Sequence, residues 1–514
     1  LNIPAKNPCT YRTLDALERI GNRLPDPAAL FLIGLLGVMI FSHLAHIFNW
    51  SVTNTANMQP IVSNSLLHSD GIWWLLSHLV KNFINFPPLG IVLVGMLGIG
   101  VADRCGLLPS ALQMASMRVK GIWLTPAMIF LGIMSSIALD AGYVVLPPIA
   151  AVLFILSKRS PVVGIAAVFA GVSAGFGANL FITSLDPILT GFSQSGASLI
   201  DGNYRIAVTS NWWFMIASTF LLTAVGWFVT ARYVEPRFEA GNSELEEKNV
   251  TKLHIAKLNA VTSKEKSAVW LALSSLLVLF VVIIICVVVS NAPLHGTGEH
   301  FPRWVEAAVP LLFIVFLIPA VVYGINVGTI KTHRDITRMM AETLAAMAPY
   351  IVLAFFAAQF IEAFKYSHLG EMLAIGGGQW LASMNLSAYL LIAVFILIVI
   401  TGNLFIGSMS AKYAFFAPVF VPLFMQLGLS PELTQVAYRI GDSVSNVITP
   451  LNPYLIIILA LLKEYLPKSG LGTLVSIMLP YTIAFSIAWT LLLFIWMMLG
   501  IPLGPSGPLY YKGF

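Results

Sequence analysis

Charge is what this 514-residue sequence has least of: Asp, Glu, Lys and Arg together make up 10% of it, against 58% hydrophobic residues. A soluble domain of this length needs far more polar surface, so a water-soluble globule is excluded. Cysteine is nearly absent. Cys9, Cys105 and Cys286 stand far apart with no paired spacing, which argues against a disulfide framework and a thiolate metal site. There is no H-E-x-x-H string, and no histidine lies deep in an apolar run, so no general base for an intramembrane hydrolase is evident. Repeated rings of charge are missing too, which argues against a passive channel. The net charge of +5 is too small and too scattered to be a nucleic-acid footprint.

What is present is apolar sequence in runs long enough to cross a bilayer. Nine spans are expected, at about 28–48, 88–104, 162–188, 210–231, 267–290, 305–323, 343–364, 433–461 and 473–498. The first run lacks a small-residue cleavage site and reads as a true span, not a removable signal. Two helical hairpins, at about 122–157 and 386–425, enter and leave on one side. With the N-terminus cytoplasmic and the C-terminus outside, 21 of the 28 Lys and Arg fall on the inner side and five on the outer. That bias fixes the expected orientation. The segments 71–86 and 330–347 read as interfacial helices. The domain plan is a cytoplasmic N-terminal segment 1–27, a first half 28–231, a polar linker 232–266 and a second half 267–514.

A phrase is written twice, 266 positions apart: Ile182–Pro187 reads ITSLDP and Ile448–Pro453 reads ITPLNP. At the same offset Gly175 matches Gly441 and Asn179 matches Ser445. Upstream, Asp140-Ala141-Gly142-Tyr143 answers Ser410-Ala411-Lys412-Tyr413, and Ser160-Pro161 answers Ser430-Pro431. From Pro88 to its counterpart Pro349 the chain crosses five times, an odd number, so the halves have opposite orientation. The expected fold class is an all-α polytopic membrane protein of inverted repeats, with about nine transmembrane helices and two re-entrant helical hairpins. Interrupted apolar segments at matched places in two halves point to a transport site built from broken helices.

Ionisable groups inside an apolar run are costly and mark a substrate or ion pathway by default. Here they are Asp140, Asp186, Lys412, Arg439 and Asp442. Arg439 and Asp442 are three apart and share a helix face, which suits either a self-neutralised pair or two separate tasks. Ser173 stands at the offset of Arg439, so the guanidinium is unmatched in the first half, as an anchor for a substrate carboxylate would be. Asn403, at a hairpin tip rich in Gly402, Gly407, Ser408 and Ser410, offers oxygen near Asp442. The two make a candidate Na⁺ site, though Asn403 equally suits a helix cap. Asp140, Asn179 and Thr183 form a candidate second polar cluster with Asp186, and Asp186-Pro187 also reads as the end of a half-helix. Tyr143 and Tyr413 occupy matched places where an aromatic can stack on a ring-bearing substrate or simply pack in the core.

At these residues the chain resembles the p-aminobenzoyl-glutamate transporter (AbgT) family. The resemblance runs from ERIGNRLPDP (Glu18–Pro27) and FPPLG (Phe86–Gly90) through GVSAGFGANLFITSLDP (Gly171–Pro187). It continues in SMSAKYAFFAPVFVPLF (Ser408–Phe424) and YRIGDSVSNVITPLNPY (Tyr438–Tyr454). It implies a homodimer in the bacterial inner membrane and transport of p-aminobenzoyl-glutamate-like folate fragments coupled to Na⁺ or H⁺. Some members look like exporters of sulfonamide antimetabolites. No other cofactor is implied, and the partners are a small aromatic carboxylate and the lipid bilayer. The family's site residues fall on Asp186, Asn403, Tyr413, Pro431, Arg439 and Asp442, with Asn403 and Asp442 at the Na⁺ position. Ser410 and Asn452 join the substrate-facing set by their place in the repeated phrases. One departure stands out: Tyr413 occupies the position of a family tryptophan. The rival reading is a Na⁺-coupled di- or tricarboxylate transporter of related hairpin architecture; an intramembrane hydrolase is a more distant one.

Overall fold

The computed structural model describes residues 27–53, 60–117, 121–138, 141–239 and 261–512. Asp140, the Glu18–Asp26 part of the opening motif, and most of the linker lie outside these residues. The chain is an all-α polytopic membrane protein. Among the described residues, seven helical stretches are long and apolar enough to cross a bilayer: Ala28–Ile47, Ser69–Arg104, Trp212–Phe238, Ser263–Val288, Ala308–Val327, Ala348–Tyr366 and Leu471–Leu499. They cover the seven uninterrupted spans read from the sequence. The remaining two spans are the broken helices.

The first half opens with α1 (Pro27–Ile47), α2 (Ser69–Ile84) and α3 (Pro87–Arg104), followed by a short helix α4 (Leu107–Ser116). The first hairpin is α5 (Leu124–Met134, prolonged by a 3₁₀ turn Ser135–Ala138) and α6 (Ala141–Leu156). The first broken helix, read from the sequence as 162–188, is interrupted as expected but runs on to Ala197. It is α7 (Pro161–Phe169), a π turn (Ala170–Ala174), ten residues without regular helix, and α8 (Leu185–Ala197). Asp186-Pro187 therefore begins a half-helix and does not end one. The first turn of a helix has no use for its amide hydrogens, so a proline there costs nothing. The half closes with α9 (Trp212–Val229), which continues through a π turn to Glu239.

The second half follows the same plan. Thr262 and Glu265 form a capping box that starts α10 (Ser263–Val288), whose side chains are mostly exposed, as suits a lipid-facing helix. Then come α11 (Ala308–Val327), α12 (His333–Ala346), α13 (Ala348–Tyr366) and α14 (Leu369–Ser383). The expected span 343–364 is thus the end of an amphipathic helix plus α13. The second hairpin is α15 (Ala388–Gly402) and α16 (Met409–Gln426). The second broken helix is α17 (Pro431–Ser445) and α18 (Tyr454–Tyr465), and α19 (Leu471–Leu499) completes the bundle.

The hairpins lock the halves together. Each packs on the first part of its own broken helix, α6 on α7 and α16 on α17. Each also packs on the second part of the other, α16 on α8 and α6 on α18. The matched glycines explain how closely this is done. A Cβ on Gly441 would lie 2.7 Å from Val399 Cβ and 2.8 Å from Ile396 O of α15, and one on Gly175 would lie 2.6 Å from Ile133 Cγ1 of α5. Only a residue without a side chain lets a hairpin arm approach the broken helix so nearly.

Candidate functional site

The repeat meets itself at the centre of the molecule. Gly177 N donates to Ser443 Oγ at 2.9 Å, and these two residues are 266 apart, so a residue touches its own counterpart across the repeat axis. Two further contacts are exchanged by that axis. Arg439 Nη2 donates to Asp186 Oδ1 at 2.6 Å, and Asn452 Nδ2 donates to Ser173 Oγ at 3.3 Å. Ser173 is the counterpart of Arg439, and Asn452 of Asp186. This reciprocity is what a two-fold relation requires of an interface. The first contact is ionic, its twin neutral.

The broken ends are held by the repeated phrase itself. Thr183 Oγ1 accepts from Leu185 N at 3.3 Å, and its counterpart Thr449 Oγ1 accepts from Leu451 N at 3.4 Å. Asp186 Oδ2 accepts from Thr183 N at 2.7 Å and Thr183 Oγ1 at 3.1 Å, which leaves Oδ1 for Arg439. Asn452 Oδ1 accepts from Tyr454 N at 3.0 Å while its Nδ2 also reaches Asn446 O at 2.9 Å. Asn179 turns the other way: Nδ2 donates to Ser136 Oγ at the end of the first hairpin and Oδ1 accepts from Phe181 N, both at 2.9 Å. Of that expected cluster, Thr183 and Asp186 are bonded to each other, Asn179 turns to Ser136, and Asp140 is not among the described residues. Pro431 is the first residue of α17, after Ser430 Oγ accepts from Leu433 N; it is a helix-start proline.

The partners of the buried charges differ from the expected ones. Arg439 and Asp442 share α17 but do not pair with each other. Arg439 reaches across the halves to Asp186, with side-chain exposures of 2% and 10%, while Asp442 Oδ1 lies 2.6 Å from Lys412 Nζ of the second hairpin, with exposures near zero. Lys412 Nζ also donates to Asn403 Oδ1 at 2.6 Å. Lys412 Nζ thus stands between Asn403 and Asp442, the two residues expected to face Na⁺. Asn403 is the C-cap residue of α15, and its side-chain Nδ2 lies 2.7–2.9 Å from Asp442 O, Ser445 Oγ and Asn446 Oδ1.

Tyr413 was open to two roles, a stacking face for a substrate ring or packing in the core. Its ring lies on Tyr438, centroids 4.2 Å apart, and its hydroxyl is 2.6 Å from Ser193 Oγ. Tyr143 is likewise stacked, on Tyr454 at 4.2 Å. Ser410, half-buried in the first turn of α16, lies with its Oγ 3.3 Å from Ser408 Oγ.

The antiparallel faces of α8 and α17 carry residues the sequence reading passed over. Ser193 Oγ donates to Gln435 Oε1 at 3.0 Å, a turn beyond the Asp186–Arg439 pair. Buried along this strip, Arg439 Nε, Gln435 Nε2, Thr190 Oγ1 and Ser184 Oγ have no hydrogen-bond partner among the described residues. Buried polar atoms are rarely left so. Thr190, one turn from Asp186, also lines a cavity of about 800 Å³ whose walls include Gln194, Arg205, Glu362 and Lys365. Glu432 is another omission, buried in the first turn of α17 with its carboxylate 3.0 and 3.1 Å from Tyr204 Oη. Its Ser-Pro-Glu context, a helix start that welcomes an acid, was the available signal. The G-x-S-x-G string Gly171–Gly175 is no nucleophile elbow: Ser173 sits buried in the π turn, bonded to Asn452.

Comparison with known proteins agrees with this architecture. Residues 12–511 match the family described as "AbgT putative transporter family". The chain belongs to the AbgT transporter family. It is 34% identical over 498 residues to the p-aminobenzoyl-glutamate transport protein of Escherichia coli K12, covering 95% of both chains. Its fold is similar to that of the YdaH transporter of Alcanivorax borkumensis, with a TM-score of 0.88 at 38% identity over 94% of this chain and 100% of that one. It is equally similar to Neisseria gonorrhoeae MtrF, a protein described as illuminating a class of antimetabolite efflux pumps. There the TM-score is 0.90 at 37% identity, over 96% of this chain and 100% of that one. Membership makes this chain a multi-pass membrane transporter.

Proposed function

We propose that this AbgT-family transporter moves p-aminobenzoyl-glutamate-like folate fragments, coupled to a gradient of Na⁺ or H⁺, and that sulfonamide antimetabolites use the same path outward. The carrying observation is the pair of unpartnered buried donors, Arg439 Nε and Gln435 Nε2, one turn apart on α17 beside Asp186. Donors left over after the internal bonds are made suit a ligand that brings acceptors, and a carboxylate and an amide carbonyl are such acceptors. The cavity at Thr190 supports the reading, since it brings an approach to within one helical turn of Asp186. The relatives' transport of p-aminobenzoyl-glutamate and antimetabolite efflux support the substrate class. The reading includes a homodimer in a bacterial inner membrane, N-terminus cytoplasmic and C-terminus outside.

The test is uptake of labelled p-aminobenzoyl-glutamate into proteoliposomes under an imposed Na⁺ or H⁺ gradient. Wild type should accumulate it; Arg439→Lys, which loses the Nε donor and the fork, should lose about 10- to 100-fold, the range for a hydrogen bond to a charged group. Gln435→Leu should lose less, about 10-fold. Accumulation of ringless dicarboxylates in its place would transfer the case to the carboxylate-transporter reading.

A further inference from the structure

From the Lys412 contacts we infer that the AbgT-family sodium position is filled here by the protein itself: Lys412 is the resident cation of the second hairpin, and Na⁺ does not bind between Asn403 and Asp442. The proposal concerns the ion site and stands apart from the identity of the substrate.

The donor set decides the matter. A small hard cation needs several oxygens turned toward one point. Here Asn403 Oδ1 and Asp442 Oδ1 are each 2.6 Å from Lys412 Nζ. The other oxygens of the neighbourhood are turned elsewhere. Asp442 O, Ser445 Oγ and Asn446 Oδ1 surround Asn403 Nδ2 at 2.7–2.9 Å and share its two hydrogens, and Asp442 Oδ2 accepts from Asn446 Nδ2 at 3.3 Å. Tyr438 Oη donates to Met409 O at 2.6 Å and lies 3.3 Å from Asp442 Oδ1, and its ring centre lies 5.8 Å from Nζ, close enough for a cation–π contact. An ammonium carries three donors and no acceptor, which matches two oxygens and a ring face. Lys412 is fully buried, so its charge has no water to retreat to. A sodium ion at the same oxygens would meet a second positive charge a few ångströms away in a low-dielectric interior, and the two would repel strongly.

The placement is also local to the second half. The hairpin alignment sets Gly142 opposite Lys412, and the 266-residue offset sets Phe176 opposite Asp442, so the first half has neither charge. The ammonium ties the arm of the hairpin to the broken helix, which is the task a bound ion performs in a cation-closed hairpin. Because the tie is covalent on one side, it is present whatever the sodium concentration.

The test is thermal unfolding of the purified full chain in detergent, in NaCl against equal N-methylglucamine chloride. Wild-type protein should unfold at the same temperature in both salts, within about 1 °C. Lys412→Met removes the charge and keeps the length, so Asn403 and Asp442 become available. That variant should unfold several degrees lower in N-methylglucamine and recover as NaCl is raised, in a saturable way. If Lys412→Met does not fold, Lys412→Gln, whose amide still donates to Asp442, takes its place with the same expectation. Sodium-specific stabilisation of the wild type that disappears in Asn403→Ala overturns the proposal. So does a folded Lys412 variant that remains indifferent to sodium. None of these readouts depends on transport, so a wrong substrate assignment leaves them unchanged.

Discussion

Neutralising one side of the Arg439–Asp186 pair should cost far more than neutralising both. The nitrogen–oxygen separation is 2.6 Å and the side chains are 2% and 10% exposed, so solvent screens the pair little. Removing one partner of a buried pair strands the other charge and costs about 3–5 kcal/mol, whereas a neutral, shape-conserving replacement of both is close to neutral. Arg439→Gln and Asp186→Asn are thus each expected to destabilise by about 3–5 kcal/mol, and the double variant by clearly less than their sum. With an unfolding entropy of about 2.1 cal/mol/K per residue, a chain of this length changes its midpoint by about 1 °C per kcal/mol. Each single variant should then fall about 3–5 °C, and more where helices persist in detergent and the entropy is smaller. The assay is a double-mutant cycle on midpoints followed by intrinsic fluorescence. Additivity within about 0.5 kcal/mol would show that the two groups do not interact. The pairing across the repeat, and the anchor role built on it, would then fall together.

Two other outcomes follow from the geometry. Gly441→Ala should lower the midpoint by about 1–3 °C, because the new methyl lands 2.7 Å from Val399 Cβ and 2.8 Å from Ile396 O, and overpacking of this kind costs about 1–3 kcal/mol; no change would mean the hairpin arm is not held that close. Asp335 starts α12 by accepting from the Lys331 and Thr332 amides at 3.0 and 2.9 Å, which hold its carboxyl below the usual carboxylate range. A depressed folded value means the cap is fully formed above the unfolded value and is lost as pH falls through the folded one. Hydrogen exchange at those two amides, corrected for intrinsic rate, should accelerate in that acidic window, and Asp335→Asn should show the acceleration already at neutral pH.

The architecture was legible because a repeat leaves the same residues under the same constraint twice. Gly175 and Gly441 stand at matched offsets because each lets a hairpin arm press on a broken helix, and Thr183 and Thr449 because each accepts the second amide after it. The site was legible in part because buried charge is rare in an apolar run. Charge partners were not. Arg439 and Asp442 are three residues apart on one helix, which is local information, whereas Asp186 is 253 positions from Arg439 and reaches it only through the folded contact of α8 with α17. Lys412 was visible as a membrane-depth cation, but nothing in its neighbours along the chain says it points at Asp442. Gln435 and Ser193 were not legible for another reason: a buried charge stands out in an apolar run, while neutral amides and hydroxyls in apolar helices signal a site only through their bonds. Helix α4 was too short to stand out, and Pro187 was misread because a proline marks the start of a helix as readily as its end.

The asymmetry of the central contacts bears on how such a machine works on an anion. In an inverted repeat, the two halves exchange roles between the two access states. Were the halves identical in sequence, the contact of residue 439 with 186 and that of 173 with 452 would be the same, and a ligand would meet equivalent surroundings from either side. Here one contact is a guanidinium on a carboxylate and the other an amide on a hydroxyl. A charge-assisted bond is about twice as strong as a neutral one and far more sensitive to an incoming carboxylate, which competes for the same donors. The neutral twin offers no such exchange. With Arg439 as the proposed anchor, a ligand carboxylate meets it on one side of the axis only. The two buried pairs at the centre, Asp186–Arg439 and Asp442–Lys412, each sum to zero before it arrives. An anion entering that neutral, water-poor site brings uncompensated charge, and a cation travelling with it removes most of the cost. That cost favours the proposed cation coupling even with Lys412 in place, because the ammonium is already matched by Asp442.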